Sequence, residues 1–380
     1  DNSTGSGVAD YPAMLTKGIR GILEEVEAIA PNARFVVFDA CYNGDYREDD
    51  FIAGHYIMAP GRCVTTFANS VNVLQDKSAF DLLGLLGEGL RIGAWAKNIH
   101  ILESHVIGDP TYRFINRALP GTDLNTALTA KASDNKYWLR MAAETMPADV
   151  QAIALRKLAD NGYDKTADLC EKRVAESPYG PVRLEALRLM SASRSPRFNA
   201  MLVQAAGDSY ELVRRLVSQW IGDCGDDELV PAAVEMLLDD ELSLRVAYHA
   251  DENMMFMNPD AVSAELRRQS AAKHELYQNE ESLQKRLKRI ADKQAEQTET
   301  FKFIRDPQNK MKRRLSEITY FRLYRHHYCV PELIALAEDA ALEEPLRVAA
   351  VEALGWFGRS YQRPIISAMC ERLLESEQPR

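Results

Sequence analysis

The sequence predicts two architectures in one chain, an α/β domain with a mostly parallel sheet followed by an all-α stack of helical repeats. Two observations carry this expectation. Short apolar runs alternate with helix-period stretches over the first 118 residues, and beyond about Asn135 the strand signal stops while similar helical cores recur at a fixed spacing.

The chain has 380 residues, 46% hydrophobic and 27% charged, which suits two or three globular domains. No apolar run reaches the roughly 18 residues that would read as a membrane span. A net charge of −10 argues against general nucleic-acid binding, which needs a basic footprint. Residues 271–325 run the other way, with 14 Lys/Arg against 8 Asp/Glu. That excess reads as a solvated helix face or a contact for an acidic surface. The six cysteines are scattered with no CxxC pair, which argues against a disulfide framework or a zinc site. His326, His327 and Cys329 lie close in sequence, but adjacent helical residues point about 100° apart. No metal and no cofactor is assigned.

Taken in order, Tyr11 to Ile29 carries helical periodicity. Arg34 to Phe38 is a short apolar run suited to a buried parallel strand. Cys63 to Phe67 is rich in β-branched residues and predicts a second strand. Ser78 reads as the cap of a helix running from Ala79 towards Ile99, whose glycines would allow close packing. Residues 119–134 contain Pro120-Gly121 and read as a linker.

From there the cores Val182-Arg183-Leu184, Val213-Arg214-Arg215, Leu244-Arg245-Val246 and Leu346-Arg347-Val348 each follow a turn-like segment, and the first three are 31 residues apart. The pattern resembles HEAT-like repeats, which implies a solenoid. One helix pair cannot bury its apolar side alone, so neighbours must stack. This gives helical repeats over 135–260, a long helical hairpin over 261–325 that would project as an arm or act as a spacer, and a final repeat over 326–380. Trp95, Trp138, Trp220 and Trp356 are expected to fill cores.

The chemistry-bearing segment is Asp39-Ala40-Cys41-Tyr42-Asn43-Gly44. It places a cysteine at the carboxyl end of a strand, where open α/β sheets bind ligands, and ends in an Asn-Gly pair that permits a tight turn. With Cys63 to Ser70 and with His105-Val106-Ile107-Gly108-Asp109, it resembles the nucleophile half of the gingipain family, a branch of the caspase-like cysteine peptidases. The resemblance covers roughly residues 34–114. It implies a caspase-like α/β domain in which Cys41 is the nucleophile of a Cys–His dyad and its backbone N–H contributes to the oxyanion hole. Asn69 and Ser70 would border the substrate, and Asp39 would shape the turn, order a partner peptide or receive a basic substrate side chain.

Residues 1–40 contain no histidine, whereas the family carries its catalytic histidine upstream of the nucleophile strand. The expected partner is therefore an upstream His-bearing segment, separated by proteolytic processing near the Gly/Ser-rich start, and the fragment alone would be a poor enzyme. His55 and His105 are candidates of lower rank. The expected ligand is a protein substrate, with a protein partner on the repeats, and the resemblance favours a bacterial envelope or secreted protein. The alternative is a non-catalytic scaffold whose solenoid binds a protein. A flavodoxin-like small-molecule domain is disfavoured because no phosphate-cradling glycine loop follows either strand.

Overall fold

A computed structural model describes residues 25–73, 81–99, 103–116, 119–193, 195–240, 243–272 and 280–375. Most of the expected Tyr11–Ile29 helix, and the Ser78 cap, lie outside these residues. The chain separates into two compact units, residues 1–166 and 167–380.

The first unit holds a three-stranded sheet in the order β1 (Phe35–Val37), β2 (Thr65–Asn69), β3 (Ser104–Gly108). β1 pairs with β2 in parallel, Phe35 opposite Thr65, while β3 runs antiparallel to β2, with Thr65 opposite Gly108 and Asn69 opposite Ser104. Every residue of β2 is buried. Phe67 on β2 meets the fully buried Trp95 edge-on at 4.9 Å, and the indole N–H of Trp95 donates to the Asp81 carbonyl.

Between β2 and β3 the expected single helix is broken into α2 (Gly84–Gly87) and α3 (Ile92–Lys97). Gly89 sits at φ +79°, a left-handed conformation that ends one helix before the next begins. Gly93 packs so closely under Pro110 that a Cβ there would lie 2.9 Å from the proline Cβ. The helix α1 (Ile52–Met58) lies between β1 and β2.

The stretch with turn composition at 119–134 contains α4 (Leu124–Ala130), whose first turn is capped by Asp123. Hydrogen bonds from Thr126 and Asn125 hold the Asp123 carboxyl down at about 2. Two more helices follow, α5 (Asn135–Met141) and α6 (Ala148–Asp160), and α6 is buried along most of its length.

This is not the expected caspase-like α/β domain. Among the described residues the sheet is small, mixed and open, and helices make up most of the chain. Short β-branched runs and glycine-punctuated helices satisfy a minimal sheet as well as a large parallel one, and the sequence pattern does not separate the two.

The second unit is entirely helical among its described residues. Helix α7 (Thr166–Glu176) leads into α8 (Gly180–Ser193), α9 (Phe198–Ala205), α10 (Glu211–Cys224), α11 (Val230–Asp239) and α12 (Leu244–Met254). Then come α13 (Pro259–Ala272), α14 (Glu280–Arg305), α15 (Met311–Tyr320), α16 (Val330–Glu338), α17 (Glu344–Leu354) and α18 (Arg363–Glu375).

The recurring arginines clamp successive pairs. Arg183 makes a bidentate pair with Asp208 at 2.6 Å and donates to the Ser177 carbonyl at 2.8 Å. Arg214, 31 residues on, repeats both contacts with Asp240 and the Asp208 carbonyl. Arg245, the third at this spacing, is exposed. The device returns at Arg314, 2% exposed, which pairs with both oxygens of Glu343 and donates to the Ile304 carbonyl. The first two clamps tie the turn before their helix to the turn of the next pair, and Arg314 ties the last turn of α14 to the residue before α17.

The segment expected to project as a hairpin arm is part of the packed stack at its inner end. Phe301, Ile304, Ile318 and Phe321 share one core with Val330, Leu333, Leu346 and Phe357. His326 and His327 are buried where several helix ends meet. His327 bonds through Nδ1 to the Ser360 hydroxyl and through Nε2 to the Gly222 carbonyl, both at 2.8 Å. His326 Nδ1 lies 2.9 Å from the Met255 carbonyl. Burial pushes both rings down to about 4. Gly225 is required beside them: it sits at φ +66°, and a Cβ would lie 2.0 Å from the His327 ring.

Candidate functional site

In the first unit, Cys41 lies in the turn after β1 and is exposed. Its sulfur accepts a hydrogen bond from the Val73 N–H at 3.3 Å. The strained position of the turn is Tyr42, at φ +58°, rather than the Asn-Gly pair the sequence suggested. Gly44 serves close approach instead: a Cβ there would lie 2.7 Å from the Ala68 Cβ. The Gly44 N–H donates to the Asn69 carbonyl, stitching the turn to the end of β2.

The residues expected to border a substrate have other commitments. Asn69 is 3% exposed, and its amide nitrogen donates to the carbonyls of Phe38 and Ala40 at 2.9 and 3.2 Å. Its amide oxygen accepts from the Ser104 hydroxyl. Ser70 is half-buried. Its hydroxyl and N–H both donate to the Glu103 carbonyl, and its own carbonyl accepts from Arg47. Arg47 also forms a two-point pair with Asp45, which holds that carboxyl below its ordinary range. Asp39 is exposed, and partial burial raises its carboxyl. The Gly-Asp pair after β3 is structural as well. Gly108 adopts φ +98° where a Cβ would strike the Val64 carbonyl, and Asp109 orders Thr111 through its N–H and hydroxyl.

Neither histidine described in this unit hydrogen-bonds the Cys41 sulfur. His55 Nε2 lies 3.3 Å from Asp50, and its Nδ1 is 3.4 Å from Glu27 without hydrogen-bond geometry. His105 stands edge-on to Tyr46, with its Nε2 buried and unpartnered. Among the described residues no group of three or more His, Cys, Asp or Glu is placed to hold a metal ion. The expectation of a gingipain-like cysteine endopeptidase is therefore overturned. A thiol needs a base to act as a nucleophile at neutral pH, and the described residues assemble neither a Cys–His dyad nor a caspase-like core to hold one.

The second unit offers a different kind of surface. Leu244 is 87% exposed, and Tyr248, one turn further along α12, Leu323 and Ile365 are also exposed. A cavity of about 620 Å³ opens between successive turns beside the clamps, lined by Val203, Asp208, Arg214, Met236 and Asp240 among others. A second, of about 510 Å³, lies between α13, α14 and the start of α16, and the buried amide oxygen of Gln297 on its wall has no partner. The sequence places Leu244 in a repeat core, and the structure instead leaves it exposed; the two cavities have no counterpart in the sequence reading. The signal of the exposed residues would have been large apolar residues at positions where the helical period calls for polar ones.

No family model and no curated protein matches the chain. A solved structure of human deoxyhypusine hydroxylase in complex with glycerol is similar at 15% identity, over 58% of this chain and 93% of that one, with a TM-score of 0.27. No helix among the described residues is long and apolar enough to cross a membrane.

Proposed function

We propose that this chain is a non-catalytic scaffold whose helical second unit binds a protein partner. The observation that carries the reading is the exposure of large apolar side chains on a clamped helical framework, with Leu244 and Tyr248 foremost. Isolated exposed leucines are ordinary. Apolar residues one turn apart on the same helix form a patch, and patches of this kind mark interaction sites. Clamps such as Arg183–Asp208 hold neighbouring turns in fixed register, so the surface is organised before a partner arrives and less ordering entropy opposes binding.

In this reading the Cys41 turn is a structural element of the first unit. The test places a photo-reactive amino acid at Tyr248 in the full chain within its native source. The expected outcome is a discrete protein adduct that persists in Cys41→Ala and is lost in Leu244→Asp. Absence of any adduct, or an adduct that disappears with the cysteine, would contradict the reading.

A further inference from the structure

A third cavity, of about 370 Å³, opens where the carboxyl ends of α8, α10 and α17 meet the segment after α15. Four residues there stand out. Trp356, in the turn after α17, is 56% exposed, against 0 to 8% for the other three tryptophans. Ser191 is 4% exposed, and its hydroxyl, on the cavity wall, has no hydrogen-bond partner. Arg325 and Arg359 both pair with one carboxylate, that of Asp223, one on each oxygen.

The last pairing decides the ligand's chemistry. Each guanidinium carries five N–H donors, and here each gives one to Asp223. Two cations face one anion, leaving a local charge of +1 in a protein whose net charge is −10. The buried Ser191 hydroxyl adds another donor without an acceptor, an arrangement that costs stability in the unliganded protein. Donors therefore outnumber acceptors around a cationic cavity, and the complementary group is an anionic acceptor with two oxygens, the geometry arginine recognises best. The Trp356 ring, with Gly355 and Gly358 beside it, supplies a flat apolar wall for the group next to that anion.

We propose that this cavity is a docking site for a peptide segment bearing a carboxylate next to an apolar side chain. The carboxylate is taken by Arg325, Arg359 and the Ser191 hydroxyl, and the apolar neighbour lies on Trp356. The inference rests on the scaffold reading and specifies where and how one partner segment is held.

The test selects a randomised, phage-displayed heptapeptide library on the immobilised full chain and measures enriched peptides by fluorescence polarisation. The expected peptides share an acidic residue beside an apolar one, and changing that acid to its amide weakens binding about tenfold or more. Trp356→Ala and Arg359→Gln, both at exposed positions and checked for folding by circular dichroism, each weaken binding about tenfold or more. Ser191→Ala weakens binding while leaving the melting temperature of the free chain unchanged or higher, which a purely structural serine would not do. Enriched peptides that lack an acid, or that bind the Trp356→Ala and Arg359→Gln variants undiminished, would overturn the site and leave the scaffold reading standing. No enrichment overturns the site, and together with no adduct at Tyr248 it removes both.

Discussion

Asn69 and Arg183 are both buried polar side chains beside turns, and they teach different things. Asn69 stands in a stretch that resembles a peptidase substrate loop, yet its amide is committed to the Phe38 and Ala40 carbonyls and to Ser104. Arg183 stands in a stretch that resembles a helical repeat, and its commitments recur 31 residues later at Arg214. A motif specifies residue types, whereas the repeated spacing carries its partners from Arg183 to Arg214 and lapses at the exposed Arg245. The second kind of signal survives into three dimensions where successive repeats meet in the same way, as they do at Arg183 and Arg214.

The comparison can be broken most forcefully at the clamp. Arg183→Ala leaves the 6%-exposed Asp208 carboxylate without its cation and should cost about 3–5 kcal/mol, read as a lower urea midpoint. Changing both partners to apolar residues of similar volume should cost much less. If the single change were silent, the clamps would be ornaments of a stack held only by its apolar core.

The buried histidines give the next effect. Their folded values of about 4 lie below the ordinary 6.5, so the unfolded chain takes up protons first as the pH falls. Their contribution is fully present above about pH 6.5 and is lost as the pH drops towards 4, by up to about 3 kcal/mol per ring. Lys293, Glu296, Arg325 and Asp223 face these rings and modulate the shift. Melting temperature followed from pH 7.5 to 4.5 should fall in the wild type and fall less steeply in His327→Gln.

A smaller loss is expected in the first unit. Asn69→Ala strands the Phe38 and Ala40 carbonyls and should cost about 1–3 kcal/mol in the same urea assay. An unchanged midpoint would free this residue for a role at the surface. Cys41→Ala should shift stability by less than about 0.5 kcal/mol, because the sulfur is exposed and its one backbone contact is weak.

The strands at Phe35 and Thr65, and their parallel pairing, follow from apolar and β-branched runs that any reader of the sequence can find. The repeat arginines are equally legible. What escapes is partnership over distance. Nothing local to Ser104–Gly108 says that it runs antiparallel to β2 at the edge of a three-stranded sheet. Gly89 interrupts the single helix expected over residues 79–99 through a left-handed φ that composition does not announce. Trp356 has the residue type of a core filler, but the turn after α17 turns it outward. The positive φ of the cysteine turn falls on Tyr42, because Gly44 is required for close contact with Ala68.

Hydrogen–deuterium exchange of the full chain, free and bound to the protein captured through Tyr248, tests the central claim most directly. The scaffold account predicts protection on helices between residues 167 and 375, no change at residues 39–44, and a partner recovered intact. Protection confined to the Cys41 turn, or a partner recovered as fragments in the wild type but whole in Cys41→Ala, would contradict it.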